Sequence, residues 1–161
     1  AEIVNLSKNG SKFSYLIPIL KSVDRKFDYI FIHAGGNDIL RFTPYDEFEQ
    51  DLYILLDLAK SKADQVMYTC CGNVGTILTF PPGAGYIYDK RTRKIRSILL
   101  EATSERDIVY NDLFNEPEDD PFYNNPKKYY AADFLHPSDE GYKEWFKIIS
   151  KGLEGLNINQ K

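Results

Sequence analysis

The stretch Phe27–Asp38, "FDYIFIHAGGND", decides the fold. Its first half is apolar at nearly every position, so neither face of the strand is reserved for water; such strands belong to parallel sheets covered by helices on both sides. The second half ends that strand in two glycines, an amide and a carboxylate. In open α/β sheets ligands sit beyond the carboxyl ends of the strands, so this polar end falls where such a fold places a site. Gly35 and its neighbour let backbone approach a ligand closely, and the Asn37 side chain offers a neutral N–H donor that can hold a negative oxygen. The same four residues are also good turn chemistry, and Asp38 suits a role in fixing that turn through backbone hydrogen bonds.

Outward from this stretch, strand and helix patterns alternate. Glu2–Val4 is a short strand candidate. Phe13, Leu16, Ile17, Leu20 and Val23 recur at helical spacing, and Pro18 is expected to kink that helix or lie in its first turn. On the other side, Thr43 and Pro44 read as an N-cap and first-turn pair with Asp46 at the capping-box position, ahead of an apolar face of Phe48, Leu52, Leu55, Leu56 and Ala59. Gln65–Cys70 reads as a strand ending in "CGNVG", and "TFPPGAG" as a loop. Ile95, Ile98 and Leu99 mark a further helix, "DIVYNDLF" a fourth strand and "EPEDDPFYNNPKK" a long polar loop. A closing helix from about Ser138 carries Tyr142, Trp145, Phe146, Ile149 and Leu153. The alternation predicts an α/β protein built as a three-layer α/β/α parallel sheet.

At 161 residues the chain has room for one hydrophobic core, so residues 1–161 are expected to form one domain. A net charge of −4 with scattered Lys and Arg leaves no basic stripe, which argues against nucleic acid as a partner. No apolar run approaches the roughly 18 residues of a membrane span. The two cysteines, Cys70 and Cys71, are adjacent, which makes a mutual disulfide strained. With two separated histidines they make no ligand set, so neither metal nor other cofactor is expected.

Two further clusters carry chemistry. In "DFLHP", Asp133–Pro137, a carboxylate three residues before a histidine can reach one ring nitrogen, fixing the tautomer so that His136 can act as a base through the other. An unremarkable surface loop would show the same pair by chance. In "NLSKNGS", Gly10 sits where a backbone N–H could point into a site at the sheet edge, although an ordinary turn explains it as well. His33, inside the apolar run, reads as a packed core or strand-end residue.

Taken in order, the three clusters resemble the SGNH, or GDSL-type, hydrolase family of esterases and lipases, whose sequence blocks carry Ser, Gly, Asn and His in turn. "VNLSKNGS" is similar to the second block with Gly10 as its glycine, "GGND" to the third with Asn37, and "DFLHP" to the fifth with Asp133 and His136. The resemblance implies a flavodoxin-like parallel sheet and hydrolysis of an acyl or acetyl ester of lipid or carbohydrate by Ser-His-Asp chemistry. It assigns His136 and Asp133 to catalysis and Gly10 and Asn37 to the oxyanion hole, with Asp38 and Gly35 in support.

The first block, Gly-Asp-Ser, which carries the nucleophile, has no counterpart here; Ser11 is the nearest candidate and lies within the second block. The expectation is therefore an N-terminally incomplete domain that lacks one strand-helix unit and has its nucleophilic serine outside these residues. The gap in the sheet would then be filled by a second chain or copy, or closed by direct pairing of the Phe27 strand with the Gln65 strand. Two alternatives stand beside the hydrolase: a non-catalytic binding module or inactive remnant of the same fold, with aromatics of "PFYNNPKKYY" as stacking surfaces, and a flavodoxin-like nucleotide binder, which lacks a glycine-rich phosphate loop.

Overall fold

The computed structural model describes residues 2–154 and 156. Strand β1 (Phe27–His33), β2 (Ala63–Thr69) and β3 (Val109–Asn111) form a parallel sheet in the order β1-β2-β3. β1 pairs directly with β2 from Phe27 opposite Ala63 to His33 opposite Thr69, and β2 pairs with β3 from Met67 opposite Val109 to Thr69 opposite Asn111.

Register partners share a face of the sheet. Ile32, Tyr68 and Tyr110 form one row, and helices α1 (Phe13–Ser22), α3 (Tyr45–Lys62) and α4 (Ala84–Ser104) close over it. Phe13 of α1 lies 6.5 Å from Tyr68 and 4.9 Å from Phe48 of α3, ring centre to ring centre. The apolar stripe of α3 is fully used: Phe48, Leu52, Leu55, Leu56 and Ala59 are all buried. Burial of each large side chain there contributes roughly 1.5–3 kcal/mol. On the opposite face, helix α7 (Asp139–Glu154) packs against β3, and its Trp145 ring meets His33 at 5.6 Å. Short helices α2 (Gly36–Leu40), α5 (Pro121–Asn124) and α6 (Pro126–Tyr129) lie in the connections.

Several local expectations fail for reasons the structure makes plain. Glu2–Val4 forms no strand, since no neighbour offers it a ladder; Ile3, Val4 and Leu6 are exposed. β1 is not covered on both faces: Tyr29 and Phe31 are 41% and 49% exposed, because among the described residues β1 pairs only on its β2 side and α7 covers the sheet mainly toward β3. Thr43 is not the cap of α3, which starts at Tyr45 after Pro44, and neither residue gives a side-chain cap. Its hydroxyl is taken by Asp38 instead. Pro18 lies in the body of α1, past the first turn, which leaves the kinking alternative of the expectation. The polar loop after Glu116 contains α5 and α6, each opened by a proline in its first turn, where the missing N–H costs nothing.

Candidate active site

β1 hands the chain to a turn that glycine alone can make. Gly35 precedes α2 with φ 107°, and a methyl group there would come 3.0 Å from Cys70 Sγ and 3.1 Å from the Tyr68 hydroxyl. Helix α2 then carries Asn37, half-buried, in its first turn and Asp38, 1% exposed, beside it. Asp38 accepts the Thr43 hydroxyl at 3.0 Å, which ties α2 to the approach to α3, and the nearby Phe13 backbone N–H also favours its charged form. Burial outweighs these donors and raises its pKa above the ordinary carboxylate value.

Beneath this turn lies Arg91, a buried arginine of α4. Its Nε donates to the Ile39 carbonyl at 3.0 Å, and its Nη2 donates to the carbonyls of Asp38, at 3.1 Å, and Thr43. The rings of Phe42 and Tyr45 flank the guanidinium. The carbonyls of Asp38 and Ile39, which also accept the backbone N–H groups of Thr43 and Phe42, thus share a fixed cation with the Thr43 carbonyl at the end of α2. Sequence reading passed over Arg91, although the signal was there: it stands four residues before Ile95, on the same stripe as Ile98, Leu99 and Ala102.

Gly10 belongs to a turn closed by the Ser11 N–H donating to the Lys8 carbonyl at 3.3 Å. Its φ of 71° is one that glycine adopts freely, and a methyl group on it would stand 3.3 Å from Nη2 of Arg41, the residue that ends α2. The Gly10 turn therefore meets the side chain of the residue that caps the helix carrying Asn37.

The Asp133 loop is held from within. Asp133 Oδ1 accepts the backbone N–H groups of Leu135 at 3.0 Å and His136 at 2.9 Å, while Oδ2 lies 2.6 Å from His136 Nδ1. The His136 hydrogen bond, followed by the two backbone donors, holds the Asp133 carboxyl well below the usual carboxylate range. Tyr130 and Pro137 form an antiparallel bridge that closes the loop's base, with Ala131 N–H donating to the His136 carbonyl at 2.8 Å. Both side chains stay open to water, at 61% exposure for His136 and 50% for Asp133. His33, by contrast, ends β1 on the exposed side with its ring against Trp145, and desolvation lowers its pKa.

Cys71 links the two halves. A methyl group on Gly36 would lie 3.4 Å from Cys71 Sγ, and Cys71 lines a cavity of about 60 Å³ together with Leu113, Phe122, Trp145 and the two neighbours of His136, Leu135 and Pro137. The floor of that cavity is fixed by Asn73, whose Oδ1 accepts the Gly75 N–H at 2.9 Å and whose Nδ2 donates to Asp89 at 2.7 Å. Asp120 accepts the Thr76 hydroxyl at 2.8 Å on the same wall. Among the described residues no group of three or more His, Cys, Asp and Glu side chains could hold a metal ion, and no helix is long and apolar enough to cross a membrane.

Comparison with known proteins bears on this geometry. Three crystal structures share the fold at low identity. TesA aligns at a TM-score of 0.67 and 17% identity, covering 96% of this chain and 78% of its own. The psychrotrophic esterase EstA from Pseudoalteromonas sp. aligns at 0.63 and 16%, covering 94% and 76%. An acetylxylan esterase from Geobacillus stearothermophilus aligns at 0.62 and 17%, covering 94% and 72%. No curated protein matches the sequence. The sequence profile of the GDSL-like Lipase/Acylhydrolase family, however, matches residues 2–144, nearly all of the chain. This protein belongs to the GDSL-like lipase/acylhydrolase family.

Proposed function

We propose that this chain carries the base and the oxyanion donors of a hydrolase acting on small acyl or acetyl esters, with the nucleophilic serine supplied from outside residues 1–161. The observation that supports this reading is the Asp133–His136 pair. Nδ1 lies 2.6 Å from Asp133 Oδ2, and donation of Nδ1–H to that carboxylate leaves the lone pair on Nε2 as the proton acceptor.

In the proposed reaction His136 Nε2 takes the serine proton as Oγ attacks the ester carbonyl carbon, and Asp133 stabilises the resulting imidazolium. The Asn37 side-chain N–H and the Gly10 backbone N–H meet the oxygen that becomes negative in the tetrahedral intermediate. Collapse breaks the carbon–alkoxy bond, and His136 returns its proton to the departing alcohol. Water, deprotonated by the same nitrogen, then attacks the acyl-serine to release the acid and free serine. Gly35 permits the approach of α2, and Asp38 holds its angle. The cavity of about 60 Å³ beside Leu135 and Pro137 suits an acetyl-sized group better than a long acyl chain.

The open edge of β1 is where a serine-bearing strand would dock. Glu2 is anchored by an ion pair to Arg25, just before β1, and Gly10 stands against Arg41 at the far end, so residues 2–10 run in the direction of β1 yet add no strand to the sheet. Either a segment joined to this chain or a second chain could fill that lane; these are variants of one proposal. The decisive experiment is hydrolysis of p-nitrophenyl acetate, with labelling by a fluorophosphonate, for the 161-residue chain alone and for the chain joined to a strand-helix segment that carries Gly-Asp-Ser. The chain alone should be inert and the completed protein active and labelled at the added serine. Turnover by the chain alone that survives Ser11→Ala and is lost in His136→Ala would overturn the assignment of the serine.

A further inference from the structure

Cys70 and Cys71 stand outside the proposed chemistry, yet their geometry is unusual. Successive side chains of a strand point to opposite faces, which keeps their ends well apart. These two residues lie just beyond β2, where the chain leaves the pleat, and their sulfurs come to 3.7 Å on one side of the backbone. The burial of the pair is graded: Cys70 is 3% exposed, whereas Cys71 is partly open and lines the cavity beside the His136 loop. Both sulfurs lie directly beneath the Asn37 turn, with ideal Cβ positions on Gly35 and Gly36 only 3.0 and 3.4 Å from Cys70 Sγ and Cys71 Sγ.

We propose that Cys70 and Cys71 form a reversible redox site that takes up a low-molecular-weight disulfide at Cys71 and closes to a vicinal Cys70–Cys71 disulfide. The thiolate of Cys71 attacks one sulfur of oxidised glutathione, forming a mixed disulfide and expelling one glutathione thiolate. Cys70 then attacks the Cys71 sulfur of that mixed disulfide and expels the second glutathione. The two cysteine protons end on the two released glutathione thiols; the protein is oxidised by two electrons and the glutathione disulfide reduced by two. The order follows from exposure, and the Cys71 hydrogen bond together with burial holds the Cys70 thiol well above its ordinary pKa, which leaves Cys71 as the entry point.

Ring closure is feasible but strained, since Cα atoms joined by a trans peptide are about 3.8 Å apart against the roughly 4.4–6.8 Å usual for a disulfide. Strained disulfides are the readily reduced ones, which suits a reversible site rather than a structural staple. Closure draws both sulfurs together under Gly35 and Gly36 and so displaces the platform of Asn37 and one wall of the cavity.

Intact-mass analysis of the reduced, folded chain after incubation with oxidised glutathione tests this without reference to ester hydrolysis. The wild type should lose two hydrogen atoms, retain no glutathione and revert with dithiothreitol. Cys70→Ser should stop at one bound glutathione on Cys71, and Cys71→Ser should not react while folded. Because either variant could be destabilised, the wild type is also treated with phenylarsine oxide, which should be captured by both sulfurs, resist a monothiol wash and leave on addition of a dithiol. A wild-type chain that keeps a stable glutathione adduct, or that reacts with neither reagent until denatured, refutes the proposal.

Discussion

The Asn37 turn and the His136 loop border the same end of the sheet and are built in opposite ways. Around Asn37 the support is deep: Asp38 and Thr43 are each 1% exposed, and Arg91 reaches from α4 to three carbonyls. Around His136 the support is local, made of an Asp three residues away, the two backbone N–H groups that donate to it and one short bridge from buried Tyr130, and the Asp and His side chains stay open to water. The contrast fits the two tasks proposed for Asn37 and His136. A donor that must stabilise a developing charge gains from a frame that cannot relax, whereas a base that must meet serine, alcohol and water in turn needs access.

Four measurements break or sharpen that contrast. In the serine-completed protein, His136→Ala should lower kcat by on the order of 10⁴-fold or more while leaving the denaturation midpoint almost unchanged, because the ring is exposed. A large loss of stability in that variant would show that the loop supports the fold after all. Asn37→Ala should cost on the order of 10²–10³ in kcat with little change in stability; an unaltered kcat would remove Asn37 from the oxyanion hole.

Arg91→Ala reverses the pattern. It removes the donor to the Thr43 carbonyl and the second donor to the carbonyls of Asp38 and Ile39, which keep the N–H groups of Thr43 and Phe42, and should destabilise the fold by roughly 1–3 kcal/mol in guanidinium unfolding; Arg91→Lys, with no fork of donors, should recover only part of that. Full rescue by lysine would mean that charge alone matters there.

The smallest effect separates the two carboxylates by the sign of their pH dependence. Burial raises the folded-state pKa of Asp38, so between about 3.9 and that raised value the folded form binds more protons and stability falls as pH rises. The contribution of Asp133 has the opposite sign, since its folded-state pKa is lowered: stability is present above about 3.9 and lost as pH falls toward the depressed value. Unfolding midpoints of Asp38→Asn and Asp133→Asn measured from acid to neutral pH should therefore diverge from wild type in opposite directions. Parallel profiles would contradict the difference in environment.

Much of the candidate site was legible because its residues are close in sequence. Asp133 and His136 are three apart, so a turn suffices to join them, and the Gly35–Asp38 run announces both a strand end and a polar cluster. Arg91 was legible as a buried position from its place on the apolar stripe of α4, but its partners lie about fifty residues away, so its role in that region was not. The capping reading of Thr43 failed for a related reason: locally a threonine before proline is a cap, but the competing acceptor, Asp38, is presented by the end of a different element. The Glu2–Val4 strand failed because strand formation depends on a neighbour to pair with, which no local propensity supplies.

The alternation of the main helices and strands from Phe13 onward, the apolar faces that build the core and the Asp–His pair were determined by sequence alone, through periodicity and short-range spacing. Only the tertiary structure decided that β1 pairs on one side alone among the described residues, that Gly10 meets the Arg41 side chain at the end of the Asn37 helix, that a buried arginine holds that helix from below and that two adjacent sulfurs meet under it. Each of these depends on which distant segments come into contact, and pairing, desolvation and crowding act between such segments rather than along the chain.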